Sequence, residues 1–179
     1  MERSNQLSLT TDVPDVRCDL DALFAAYYWR LTRLLYRATG DTARAEEFAS
    51  EAFWRLYHHP PKDAGNIEGW LYRTGLHLAL DYLKSERRRA RYEATARLFG
   101  IAPNPHQAVE QQEKQARVRL VLASIKPVQA AMLLLRSEGF SYAELAAALD
   151  LNPASVGTLL TRAGQAFKKE YVKRYGEQD

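Results

Sequence analysis

Apolar residues recur along this chain at steps of three and four, and no stretch of useful length alternates at a step of two. From Asp19 to Thr39, Leu20, Leu23, Phe24, Tyr27, Leu31, Leu34, Leu35 and Ala38 fall on one helical stripe, with Gly40 as the stop. Asp41 or Thr42 can cap a second helix that runs to about His58. Its core face is Ala45, Phe48, Ala49, Ala52, Phe53 and Leu56, and Pro60 and Pro61 end it. A third helix is expected from Ile67 to about Arg91. Residues 92–112 change character, with Gly100, Pro103 and Pro105 and little periodic apolar content before Val109. Four further helices follow, broken near Lys126-Pro127, Glu138-Gly139 and Asn152-Pro153. The pattern predicts an all-α chain. Behind a flexible polar segment (1–18), it places one helical domain over 19–91, a linker over 92–112 and a second helical domain over 113–175. Such a linker permits either a compact, self-masking arrangement of the two domains or an extended one.

Within the second domain, residues 142–161 fit a helix-turn-helix. Ala146 supplies the small residue where two helices cross, and Val156 the branched apolar residue facing it. Leu145, Leu149, Leu151 and Leu160 fill the other inward positions. Ser141 and Glu144 have the spacing of a capping box, and Asn152 followed by Pro153 opens the next helix. Asp150 stands at the tight turn, where a left-handed residue is needed and glycine is commonest. In such a motif the second helix enters a major groove, offering Ser155, Thr158, Thr161 and Arg162 to bases. Lys168, Lys169, Lys173 and Arg174 follow as phosphate contacts.

Two faces of the first domain are unusual for solvent. On the second helix, Glu47, Ser50, Glu51 and Trp54 point away from the core residues, and a large aromatic among acids suits a protein partner. On the third helix, Trp70, Arg73, His77, Asp81, Lys84 and Arg88 follow one another at steps of three and four. That stripe mixes an aromatic, a histidine and three cations, which suits a surface that meets a partner as well as a solvated helix face.

Charge and composition narrow the class only a little. The 179 residues carry a net charge of +3 and are 46% hydrophobic, enough for one or two small domains with real cores. Cys18 is the only cysteine, so no internal disulfide can form, which suits a reducing cytoplasm. The longest apolar run, Ala22 to Trp29, is eight residues, against roughly 20 for a membrane span. The N-terminal residues lack the apolar core of a signal peptide. The four histidines lack the spacing of a metal site, no phosphate-cradling glycine loop is present, and no catalytic constellation stands out. Neither an enzyme nor a cofactor is expected.

Three segments together resemble one family. "RAEEFASEAFWRLY", "GWLYRTGLHLALDYLKSERRR" and "YAELAAALDLNPASVGTLLTRAGQAFKK" are similar, in order and spacing, to the second-region and fourth-region motifs of bacterial RNA polymerase sigma factors of the extracytoplasmic-function group. The resemblance covers roughly residues 19 to 172. It implies a cytoplasmic transcription initiation factor that binds core polymerase, directs it to promoters and assists strand opening. It implies that Glu47, Ser50, Glu51, Trp54 and Arg55 meet the clamp helices of the largest polymerase subunit. It implies minus-10 contacts from Lys62, Asn66, Trp70, Arg73, His77, Lys84, Arg87, Arg88 and Arg91, with the loop from Lys62 to Gly69 accepting an extruded base. Minus-35 contacts would come from Ser155, Thr158, Thr161, Arg162, Lys168 and Lys169. An anti-sigma protein is a further partner the resemblance suggests, and insertion into a membrane is not.

Some positions depart from the family pattern. His77 replaces an asparagine and Ser50 a glutamine. Gly157, Leu159 and Gly164 stand where cations are usual, which implies weaker and less salt-dependent minus-35 binding. Gly157 also costs its helix ~1 kcal/mol. Two other readings therefore stay open: a stand-alone helix-turn-helix regulator, and a sigma-like polymerase-interaction module with weakened minus-35 reading.

Overall fold

The computed structural model describes residues 20–61, 66–98 and 110–176. Among them every regular element is helical. Helices α1 (Leu20–Thr39), α2 (Thr42–His58) and α3 (Ile67–Leu98) form the first domain. Helices α4 (Glu110–Leu122), α5 (Pro127–Ser137), α6 (Tyr142–Leu149) and α7 (Val156–Tyr175) form the second.

Local chemistry sets the boundaries. Gly40 takes φ +72°, open to glycine without strain, and its N–H closes α1 on the Tyr36 carbonyl at 2.6 Å. Asp41 then caps α2 by accepting from the Arg44 N–H at 3.1 Å. Asn66 does the same for α3, accepting from the Gly69 N–H at 2.9 Å. Helix α3 runs on to Leu98, past the expected end near Arg91. Residues 92–98, YEATARL, are mostly good helix formers, and no glycine or proline intervenes before Gly100. Lys62, Gly100, Pro103 and Pro105 lie outside the described residues.

The three helices of the first domain bury Leu31, Leu35, Ala49, Phe53, Leu76 and Leu80 against one another. Helices α1 and α3 cross closely at Gly75, where a Cβ would lie 3.0 Å from a Leu31 methyl. Burial along α1 begins at Leu31; Phe24 stays 44% exposed and stacks on Tyr28, 4.2 Å between ring centroids.

In the second domain the helix-turn-helix forms as its sequence predicts. The Glu144 N–H donates to Ser141 Oγ and the Ser141 N–H to Glu144 Oε2, a closed capping box. Asp150 adopts φ 56°, ψ 51°, and the Leu151 N–H returns to the Ala146 carbonyl. Asn152 caps a short 3-10 turn, Pro153–Ser155, which leads into α7. Ala146 and Val156 are both buried, while Leu149, Leu151 and Leu160 are half-buried.

The two domains pack together. Their buried residues form one continuous cluster, joined where Tyr72 of α3 meets Phe140, edge to face at 5.0 Å.

Candidate functional site

Three surfaces collect the residues singled out by sequence. The first is on α2. Glu47, Ser50, Glu51, Trp54 and Arg55 line one shallow groove of 510 Å³, floored by Phe48 and Leu78. The helical period forces this: Ala45, Ala49, Ala52 and Phe53 take the inward face, so the intervening positions face out. Trp54 is 52% exposed and lies flat on His58, 4.2 Å between centroids. It packs on its own helix, so its indole presents a broad rigid face. Each acid has a local partner: Arg44 reaches Glu47 at 2.6 Å and Arg55 reaches Glu51 at 2.7 Å. Glu47 in turn holds the Arg44 guanidinium above its ordinary pKa, mainly through that hydrogen bond. Exposed pairs of this kind contribute little stability, so a partner's cations can replace them cheaply.

The second surface is the α3 stripe. His77 and Arg88 are exposed, and Trp70 is half-buried with part of its ring packed on the core. Lys84 pairs with Asp81 at 3.2 Å. Arg87 donates to the Ala123 carbonyl at 3.4 Å. Together Asp81, Lys84, Arg87 and Arg88 form one wall of a 730 Å³ cleft whose other wall is Ala123 to Ile125. This basic end of α3 therefore opens toward the α4–α5 turn. Arg91 is on the helix, but its side chain lies outside the described residues, as does all of Lys62.

At its other end the stripe meets the second domain. Asn66 Nδ2 donates to the Ala147 carbonyl at 2.5 Å, and Arg73 lies 3.9 Å from the Asp150 carboxylate. Sequence reasoning read Asn66 and Arg73 as outward-facing contacts for nucleic acid. It missed Asn66 as a helix cap, although an Asn three residues before the Gly69 N–H carries that signal. Nothing in the pattern pointed to Ala147 or Asp150 as partners.

The third surface is α7. Thr158, Thr161, Arg162, Lys168 and Lys169 are all exposed, and Ser155 is half-buried in the 3-10 turn. The Thr161 hydroxyl donates to the Gly157 carbonyl at 3.0 Å. A Cβ at Gly157 would only touch Tyr142 at an ordinary 3.5 Å, and one at Gly164 would meet nothing. Packing requires neither glycine. Beyond this face Arg174 bonds Glu170 at 2.8 Å, which lowers that carboxyl's pKa, and reaches Ser124 Oγ at 2.9 Å.

Among the described residues no cluster of three or more His, Cys, Asp or Glu side chains could hold a metal ion. No helix among them is long and apolar enough to cross a membrane. The arrangement offers binding surfaces, one acidic and aromatic and two basic.

Known proteins carry the same two parts. Residues 23–89 match the family described as Sigma-70 region 2, and residues 115–166 match Sigma-70, region 4. The chain is similar to the ECF RNA polymerase sigma factor SigE of Mycolicibacterium smegmatis, 31% identical over 88% of this chain and 63% of that one. It is similar to the probable RNA polymerase sigma factor RfaY of Xanthomonas campestris, 29% identical over 81% of this chain and 38% of that one. It is also similar to RNA polymerase sigma factor YlaC of Bacillus subtilis, 26% identical over 90% and 97%. Against the first two relatives, the chain thus spans less than two thirds of their length.

Proposed function

From the premise that this chain belongs to the sigma-70 family of RNA polymerase sigma factors, in its extracytoplasmic-function group, we propose that it directs core polymerase to promoters and assists strand opening. The observation that carries the reading is the presence of both regions in one chain, in order, with their predicted faces on separate surfaces. In this reading the domain of residues 19–91 binds core polymerase and the minus-10 element. The domain of 113–175 binds the minus-35 element, and 92–112 join them.

The geometry supports a physical role for each face. Trp54 offers a flat, preorganised anchor, while Glu47 and Glu51 trade Arg44 and Arg55 for cations on the clamp helices. Such charge pairs steer the encounter more than they tighten it. Trp70 and His77 supply stacking faces for a separated strand, and Lys84, Arg87 and Arg88 supply its phosphate contacts. On α7, Thr158 and Arg162 face bases while Lys168 and Lys169 hold phosphates. The chain contributes recognition and leaves bond making to the polymerase, so it is no enzyme and works in the cytoplasm. An anti-sigma protein is the proposed holding partner.

The test mixes the purified chain with core polymerase and a promoter library and sequences the transcript starts. Starts clustered on shared upstream elements are expected. Trp54→Ala with Glu51→Lys should lower core affinity at least about a hundredfold, as loss of an aromatic anchor and reversal of a charge together predict, without changing the circular dichroism. A chain that ignores core polymerase and binds duplex as a symmetric dimer would instead be a stand-alone regulator. Core binding with scattered starts would leave only a polymerase-interaction module.

A further inference from the structure

We propose that the cleft between the basic end of α3 and the α4–α5 turn binds a linear oligophosphate, free or carried by a nucleotide. The site itself stands on the geometry of the cleft. Its consequence, competition with a separated strand, rests on the reading of α3 as the strand-binding stripe.

Three cations converge on this cleft from one side. Lys84, Arg87 and Arg88 line it together with a single carboxylate, Asp81. Helical spacing makes the row, since Asp81, Lys84 and Arg88 follow at steps of three and four and Arg87 flanks them. Asp81 does not neutralise this wall. Its side chain is 76% exposed and pairs with Lys84 at 3.2 Å, which leaves two guanidinium charges in excess among the lining residues. Arg87 reaches across to the Ala123 carbonyl at 3.4 Å, a long contact that a charged oxygen would outcompete.

The opposite wall adds positive charge. Ser124 lies on the α4–α5 turn, where its hydroxyl donates to the Leu120 carbonyl at 2.6 Å and accepts from Arg174 at 2.9 Å. The nearby carboxyl of Glu170 is held below its ordinary range chiefly by the Arg174 hydrogen bond, and Lys173 and Arg87 pull it the same way. Cations of α3 and α7 therefore act on one volume. Elsewhere along the contact between the domains, Arg33 and Arg37 of α1 meet Glu138 at the end of α5, at 3.0 and 2.7 Å. These pairs help hold the two walls facing one another.

The chemistry selects the ligand. Excess guanidinium groups call for an anion with several oxygens, because each can meet a phosphate through paired N–H donors. A volume of 730 Å³ exceeds what one orthophosphate fills and falls in the range of small-molecule sites. A short chain of phosphates reaches both walls, whereas a single phosphate meets one. Lys84, Arg87 and Arg88 are also the proposed phosphate contacts of the separated strand, so a bound oligophosphate takes them out of use. It also bridges the walls, and thereby stabilises the folded chain as its occupancy rises.

The experiment titrates the full chain calorimetrically with inorganic triphosphate, ATP, orthophosphate and sulfate, in metal-free buffer at constant ionic strength. Triphosphate should bind at least about tenfold more tightly than orthophosphate or sulfate and should raise the melting temperature. Arg88→Gln and Ser124→Glu, one on each wall, should each weaken triphosphate binding at least about tenfold with unchanged circular dichroism. Saturating triphosphate should displace a fluorescent random single-stranded oligonucleotide from the free chain. ATP binding more tightly than triphosphate assigns the ligand to nucleotides, and equal or weaker binding assigns it to the free phosphate chain; both support the site. Triphosphate no tighter than sulfate is general charge screening and overturns the proposal. So does triphosphate binding that survives Ser124→Glu, which would put the anion on α3 alone. Oligonucleotide binding weakened by Ser124→Glu as much as triphosphate binding would assign the cleft to a nucleic-acid backbone and overturn the small ligand. Triphosphate bound without displacing the oligonucleotide overturns the competition. Failure of the sigma-factor reading would appear separately, as absent core polymerase binding, and would leave the triphosphate titration readable.

Discussion

Tyr72 is the residue at which the fold is least comfortable. Its ring is 2% exposed, and its hydroxyl is buried without a hydrogen-bond partner among the described residues. Burial pushes the phenol up to about 12 from its ordinary 10.0, with the neighbouring Arg30 pulling the other way. The sign follows directly. A raised acid favours its protonated form in the folded state, so the contribution is complete below pH 10 and is lost as pH rises from 10 through about 12. Tyrosinate absorbance should therefore show one late-ionising tyrosine, and alkaline unfolding should begin in that window. Tyr72→Phe keeps the ring against Phe140 and deletes the orphan group. It should leave stability unchanged or raise it by about 1 kcal/mol, read as a shift in denaturant midpoint at constant slope. A clear loss would mean that the hydroxyl has a partner in solution. Other single residues are legible in the amino-acid pattern alone. The Ser141–Glu144 box and the left-handed Asp150 follow from local rules that need only nearby atoms, and both form. Tyr72 is not legible in this way, because its ring packs against a residue far along the chain, Phe140.

Helices were the most legible level, since each is specified by a period, a cap and a stop within its own span. The exceptions have local causes as well. Helix α3 outran its expected end because helix-forming residues continue after the last apolar position of the stripe, so periodicity faded before propensity did. Helix α7 begins with a 3-10 turn, because Asn152 and Pro153 organise three residues before the regular α-helix can start. That element also holds glycines at positions where the resemblance implies cations. Gly157 and Gly164 stand on α7, the helix proposed to face DNA, with room for side chains. Their effect is then on helix propensity and charge, with no packing reason to retain them. Gly157→Lys should gain ~0.5–1 kcal/mol of helix stability from propensity alone. If the lysine reaches a phosphate, it should steepen the salt dependence of duplex binding by about 0.9 in log–log slope. Melting and duplex titration at several salt concentrations check both. A steeper slope without tighter specific binding assigns the change to the backbone, and an unchanged slope places residue 157 off the DNA.

At the scale of the molecule, sequence pattern separated two helical bodies and left their relation open. The relation is set by groups far apart in the chain: Arg33 and Glu138 are separated by 105 positions, and neither belongs to a periodic motif that announces a partner. The candidate surfaces were legible because helical spacing fixes which residues share a face. Their availability was not, because covering Asn66 and Arg73 depends on how the bodies dock. Docking also merges two hydrophobic clusters into one that runs from Leu31 through Tyr72 and Phe140 to Val156. A continuous core makes each domain's folding benefit from the other. Calorimetry of the wild type should accordingly give a single transition with equal calorimetric and van't Hoff enthalpies. Glu138→Lys strands its charge between Arg33 and Arg37 and should split that transition, with at least one domain melting several degrees lower, in line with a coupling of about 1–2 kcal/mol for a chain of this size. Two transitions already present in the wild type would mean that the domains fold independently and that their contact contributes little. A single transition surviving in Glu138→Lys would place the coupling in the Tyr72–Phe140 packing, with the ion pairs as bystanders.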